Sequence, residues 1–192
     1  MINFRLPTGK KITTGYIGMD RERKGCIQIY CGNGKGKTTA ALGLSLRTLL
    51  SGGSVYFAQF FKGMDTAEIG LCSLCDRFVM EQYGTGKFII GDPTEEDRKQ
   101  ARLGLEHCKN VLSSGFFDLV VLDEIILSVF YQLITVEEII SVLKVRKPWV
   151  EVVLTGRKAP IELIERADLV TEMKKVKHYF DAGVKARKGI EY

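Results

Sequence analysis

The sequence predicts an α/β fold: a mostly parallel sheet of about six strands with helices on both faces. Two observations predict it. Short apolar runs alternate with amphipathic helical stretches along most of the 192 residues, and repeated strand–helix alternation builds parallel sheets. A glycine-rich loop also joins the first clear apolar run directly to the first helical pattern. Ligands of such sheets sit beyond the carboxyl ends of the strands, where that loop would lie.

The strand candidates, in order, are residues 26–30, 54–60, 77–82, 119–122, 151–154 and 169–171. Several are continuous apolar runs, as expected where helices cover both sheet faces. The first helix begins at Ala40-Ala41-Leu42-Gly43-Leu44. Asp92-Pro93-Thr94-Glu95 offers the next helix an N-cap, a proline at the first helical position and an acid in the first turn. Ala101, Leu105, Cys108 and Leu112 then share one face, and Gly115 can end the helix. Thr135-Val136-Glu137-Glu138 reads as a capping box, followed by an apolar stripe of Val136, Ile139, Ile140 and Leu143.

Bulk properties narrow the class. The length fits one domain with an ample core. No apolar run approaches the ~20 residues that span a bilayer, and the N-terminus has no compact apolar stretch of the secretory kind. A cytoplasmic protein without membrane contact is expected. The net charge is +5, unevenly placed. Residues 1–25 and 174–192 each hold six Lys/Arg against two acids, whereas 26–173 holds 16 bases and 19 acids. The basic ends are either solvated tails or segments that fold over an anionic ligand. Nucleic acid is not the expected partner, because these ends lack interleaved aromatic platforms. Of five cysteines, Cys72 and Cys75 have CxxC spacing, but no second pair completes a zinc set. Structural thiols are expected.

Three motifs carry chemistry. Cys31-Gly32-Asn33-Gly34-Lys35-Gly36-Lys37-Thr38-Thr39 departs from the phosphate-loop pattern G-x-x-x-x-G-K-[ST] only at Cys31. Its N–H groups and the helix dipole suit a nucleoside triphosphate. Lys37 supplies a point charge, and the Thr38 hydroxyl can ligate magnesium. Leu119-Val120-Val121-Leu122-Asp123-Glu124 delivers two carboxylates from a buried strand, one of which can hold the metal. Leu154-Thr155-Gly156-Arg157 puts Arg157 at another strand end, as a forked phosphate donor or as an ordinary surface arginine. No nucleophile–base pair is evident, which suits a nucleophile that brings no proton to remove.

In order, these motifs resemble the P-loop type of ATP:corrinoid adenosyltransferase, with Gln59-Phe60-Phe61-Lys62-Gly63 and the closing residues 176–192 as further points of likeness. The resemblance covers about residues 25–192 and implies a P-loop NTPase with a RecA-like sheet. It implies transfer of the 5′-deoxyadenosyl group of ATP to cobalt(I) of a corrinoid, with triphosphate leaving. It further implies a magnesium or manganese ion, a homodimer and an electron-donor flavoprotein. Gly32, Asn33, Gly34, Lys35, Gly36, Lys37, Thr38, Thr39 and Arg157 would bind ATP phosphates. Thr38, Glu124 and Asp123 would hold the metal. Lys37, Glu124 and Phe88 would be catalytic, with Phe88 shielding cobalt and Tyr83 as the second candidate for that ring. Two departures stand out: Cys31 replaces a common threonine, and Tyr83-Gly84-Thr85-Gly86-Lys87-Phe88-Ile89 lacks the tryptophan some members carry. Residues 1–24 would form a basic lid ahead of the domain at 25–192. The competing readings are a RecA-like ATPase or small-molecule kinase, and a non-catalytic ATP-binding module.

Overall fold

The computed structural model describes residues 2–5, 11–14, 21–63, 66–86, 89 and 91–192. Two short strands, β1 (Ile2–Arg5) and β2 (Lys11–Thr14), pair antiparallel, with Ile2 opposite Thr14. The other six strands make one sheet. They are β3 (Ile27–Cys31), β4 (Val55–Phe60), β5 (Phe78–Tyr83), β6 (Leu119–Asp123), β7 (Glu151–Thr155) and β8 (Leu169–Glu172). Their spatial order is β5-β4-β6-β7-β3-β8, and every pairing is parallel. All six expected strands are present, each within one residue of its expected ends, and the sheet is parallel throughout rather than mostly so.

The helices are α1 (Lys37–Leu50), α2 (Leu71–Leu74), α3 (Glu95–Ser114), α4 (Ile125–Phe130), α5 (Val136–Lys144) and α6 (Ile161–Ile164). Central strands β4 and β6 are buried at every position, which explains their unbroken apolar runs. Their side chains alternate between two cores. Tyr56, Ala58, Phe60, Val120 and Leu122 join the cluster formed with α3 to α6. Val55, Phe57, Leu119 and Val121 meet Ala41 and Leu49 of α1 on the other face. Each buried Val, Leu or Phe among them contributes about 1.5–3 kcal/mol over its exposed state, so the strand ends are held by a rigid frame.

The helix ends follow local chemistry. The face of Ala101, Leu105, Cys108 and Leu112 is buried, and Gly115 ends α3 at φ 62°. The start of α3 corrects the expectation of an Asp92 cap. Thr94 is the N-cap, and its hydroxyl accepts from the Asp97 N–H while the Asp97 carboxylate accepts from the Thr94 N–H. That reciprocal pair satisfies two orphan donors, where Asp92 would satisfy one. Thr135 and Glu138 form the expected box at α5. Trp149 packs on the larger core and donates its Nε1–H to Gly115 O at 3.2 Å. Cys72 and Cys75 pack on the smaller core as free thiols.

Candidate active site

Because the sheet is parallel, β3, β6 and β7 bring the glycine loop, the acid pair and Thr155 to one edge. The loop lies between β3 and α1. Gly32 and Gly36 have φ of 104° and 120°, a region that excludes most side chains. The Gly32 N–H donates to Arg157 O and the Gly34 N–H to Met173 O, both at 2.7 Å. The loop is therefore tied to the chain following β7 and following β8. Lys37 Nζ donates to Gly32 O and Gly34 O, each at 2.9 Å. Burial pulls its pKa below the ordinary lysine range, and the Glu124 carboxylate opposes that shift. No side chain caps α1 at Gly36, which leaves the helix N-terminus suited to an anion.

The acid pair differs in environment. Asp123 is fully buried. It accepts from Thr38 Oγ1 at 3.0 Å, Thr155 Oγ1 at 2.7 Å and Gln59 Nε2 at 3.3 Å. Burial raises its pKa, and the bonds from Thr155, Gln59 and Thr38 oppose the rise. Glu124 adopts φ 61°, and its N–H donates to Thr155 Oγ1 at 2.8 Å. Its Oε2 is buried without a hydrogen-bond partner among the described residues. Burial and Asp123 raise the Glu124 pKa, while Lys37, Lys62 and Arg157 lower it.

These groups fit a small hard cation. Thr38, Asp123 and the unpartnered Glu124 oxygen are hard oxygen donors of the kind magnesium and manganese prefer. No cluster of three or more His, Cys, Asp or Glu that could hold a metal occurs among the described residues. Two carboxylates and a hydroxyl are the kind of partial set that magnesium takes together with substrate phosphate and water.

Beside Glu124 opens a cleft of ≈ 590 Å³, with Phe61, Lys62, Phe130, Tyr131 and Arg157 in its walls. The Phe61 and Tyr131 rings lie 5.6 Å apart and those of Phe130 and Tyr131 5.2 Å apart. Phe130 is 67% exposed. Arg157 is at this edge, exposed, and lines the cleft together with Glu124. Phe88 lies outside the described residues. Tyr83 does not suit a shielding ring. It is 4% exposed, and its hydroxyl is bonded to Tyr56, Glu81 and His107 inside the core. Packing and those hydrogen bonds fix it there.

The closing segment grips the loop. Lys35 Nζ donates to Glu191 Oε1 at 2.7 Å, Tyr179 OH at 2.5 Å and Ile190 O at 3.3 Å. Arg187 binds the same carboxylate through its N–H at 2.7 Å and its guanidinium at 3.2 Å. These donors hold the Glu191 carboxyl well below the usual range. Asn33 Oδ1 accepts from the Lys175 N–H at 3.0 Å. Asn33 and Lys35, both expected at phosphate, thus face the closing segment, while Thr39 is exposed on the first turn of α1. Glu191→Gln is expected to speed amide exchange of residues 173–192 several-fold, because a neutral amide holds two cations more weakly than a carboxylate. Unchanged exchange would show that the ion pairs do not anchor the segment.

The motifs quoted from the sequence contained Gln59, Thr155, Tyr179 and Glu191 without roles, since partners so distant in sequence appear only on folding. Phe130 and Tyr131 gave no signal beyond an aromatic pair after the acid motif.

A parallel sheet with this glycine loop, and an acid pair brought beside its threonine, defines a P-loop nucleotide-binding protein. The family described as ATP:corrinoid adenosyltransferase BtuR/CobO/CobP matches residues 23–192. The chain is 37% identical over 183 residues to the corrinoid adenosyltransferase CobA of Salmonella typhimurium, covering 92% of this chain and 90% of the relative. It is 36% identical to the corrinoid adenosyltransferase of Escherichia coli K12, with the same coverage. It is 33% identical to that of Pseudomonas aeruginosa, covering 98% and 94%. The chain belongs to the ATP:corrinoid adenosyltransferase family, as the resemblance implied. Its activity is adenosyl transfer from ATP to a corrinoid. Among the described residues, no helix is long and apolar enough to cross a membrane.

Proposed function

We propose that the chain joins the 5′ carbon of ATP to cobalt(I) of a corrinoid and releases triphosphate. The observation that carries this reading is the aromatic-walled cleft opening directly beside Glu124 and Arg157. It offers a large planar substrate a place next to the phosphate groups. Cobalt(I) attacks with its own electron pair; the carbon–oxygen bond breaks, and its electrons leave on the triphosphate. No proton is abstracted, which agrees with where the histidines lie: His107 bonds Tyr83 in the core and His178 belongs to the closing segment.

The protein then has two tasks: alignment and stabilisation of the charge on the departing triphosphate. Lys37, the loop N–H groups other than those of Gly32 and Gly34, those of Thr38 and Thr39, and Arg157 serve the second, as would Lys35 once released from Glu191, with Gly32, Asn33, Gly34 and Gly36 shaping the cradle. Thr38, Glu124 and Asp123 would hold magnesium or manganese, whose chemistry here is neutralisation of phosphate charge. Phe88 is assigned the role of covering one face of cobalt. Phe88→Ala is expected to lose more activity with cobalt(II) and a mild reductant than with pre-reduced cobalt(I). Equal losses would remove Phe88 from that role.

A homodimer, a flavoprotein electron donor and a cytoplasmic setting complete the reading, with residues 1–24 as a lid whose last residues stay at the amino ends of the strands, where Arg23 donates to Asp118 O. Deleting 1–24 should raise the apparent KM for corrinoid, and unaltered kinetics would dismiss the lid. The deciding experiment is an anaerobic assay with ATP, magnesium and chemically reduced cob(I)alamin, following corrinoid spectrum and phosphate product together. Stoichiometric adenosylcobalamin and triphosphate are expected. ADP or orthophosphate without corrinoid change would overturn the reading.

A further inference from the structure

Thr155 ends β7, the strand lying between β3 with its glycine loop and β6 with its acid pair. It is opposite Tyr30 in one register, and its neighbour Leu154 is opposite Leu122 in the other. The residue is fully buried. A hydroxyl has one proton to give and two lone pairs to receive with. Here the partners dictate the directions. The Asp123 carboxylate can only accept, and takes the Thr155 proton at 2.7 Å. The Glu124 N–H can only donate, and points at the same oxygen from 2.8 Å. One hydroxyl therefore clips two consecutive acids.

Glu124 depends on such a clip. Its φ of 61° is left-handed, a conformation that non-glycine residues keep only where their surroundings enforce it. It also begins α4, with no side-chain cap bond of its own. Its buried Oε2 has no hydrogen-bond partner among the described residues, so the backbone aims the carboxylate. Asp123 is tied at the same time to Thr38 on the first turn of α1. The chain of contacts runs Glu124 N–H, Thr155 hydroxyl, Asp123 carboxylate, Thr38 hydroxyl. It links the strained acid to the phosphate loop through one atom of an intervening strand.

We propose that Thr155 is a positioning residue that sets Glu124 and Asp123 jointly toward a divalent cation carried with the triphosphate. The cation part rests on the proposed roles of Thr38, Asp123 and Glu124; the backbone part does not. Thr155→Val keeps the shape and removes both bonds. Thr155→Ser keeps the hydroxyl.

Three readouts test it: amide exchange at Glu124 in nucleotide-free protein, manganese affinity in saturating tripolyphosphate, and tripolyphosphate affinity without metal. T155V should speed Glu124 exchange and weaken manganese binding, each by roughly tenfold or more, as expected for losing a bond to a charged group. T155S should stay within about twofold of wild type on both counts, because one bond geometry is retained. Metal-free tripolyphosphate binding should hold within about twofold in each, since the loop donors are untouched. The proposal is overturned if T155V keeps both properties, if T155S loses as much as T155V, or if T155V loses metal-free tripolyphosphate binding equally. Should T155V not fold, T155C replaces it, because a thiol donates and accepts only weakly; the same losses are expected, and their absence counts against the proposal. If wild-type protein itself binds no manganese with tripolyphosphate, the cation reading fails. Exchange at Glu124 then decides alone whether Thr155 positions the backbone: a speeding supports it and no change overturns it.

Discussion

Lys37→Ala is expected to lower kcat/KM by about 10²–10³-fold, the usual cost of removing one donor aimed at developing negative charge. The ammonium sits half-buried at the base of the loop, bonded to two of its carbonyls. The substitution therefore removes the point charge and loosens the cradle together. Tripolyphosphate gives a reading free of corrinoid chemistry. At a hundredfold excess over Kd it should stabilise wild-type protein by about 2.7 kcal/mol, and K37A should lose most of that gain at the same concentration. Retained stabilisation would place the phosphate elsewhere. The pH dependence has a definite sign. The protonated ammonium is the binding form, and burial lowers its pKa. Affinity should be full at neutral pH and fall on the alkaline side, starting below the range where a free lysine titrates. K37A should flatten that limb.

Gly32→Ala should disturb stability and activity together. A Cβ at Gly32 would lie 2.4 Å from Met173 O and 2.9 Å from Met173 N. Both are backbone atoms of the chain leaving β8 and cannot swing aside as a flexible side chain could. The φ of 104° adds strain, of order 1–3 kcal/mol for a non-glycine residue. Relief would require the loop and the closing segment to part. A loss of at least about 2 kcal/mol is expected in urea unfolding, from strain and displacement combined, together with weaker tripolyphosphate binding. A variant as stable as wild type would show that this contact yields easily.

How far the sequence could be read depends on how local each cause is. The six strands and the box at α5 rest on apolar runs and caps that act over a few residues, so they were legible to within a residue or two. The cap of α3 was misplaced because Asp92 and Thr94 both have the right chemistry; Asp97, three residues beyond Thr94, decides between them. The glycine loop and acid pair were legible as motifs. Their joint geometry was not, since Thr38 and Asp123 are 85 positions apart and meet only when β3 and β6 are in place. Tyr83 stood second to Phe88 as the shielding ring on resemblance alone, and nothing local in the sequence separates such a ring from a packing aromatic. The phenol is in fact held by Tyr56 of β4 and His107 of α3, partners invisible at its own position.

The last twenty residues look dispensable on the surface: Val176 is 96% exposed, Phe180 70% and Ile190 57%. Their attachment says otherwise, because Lys175, Tyr179 and Glu191 are fastened to Asn33 and Lys35. A protease cutting near Phe180 would do more than trim an appendage. It would cast off a carboxylate that occupies a cation beside the nucleotide cradle, and so change the anion affinity of an enzyme whose folded body remained whole. Preparations that differ only in such nicking would then disagree in their apparent ATP dependence while appearing equally well folded.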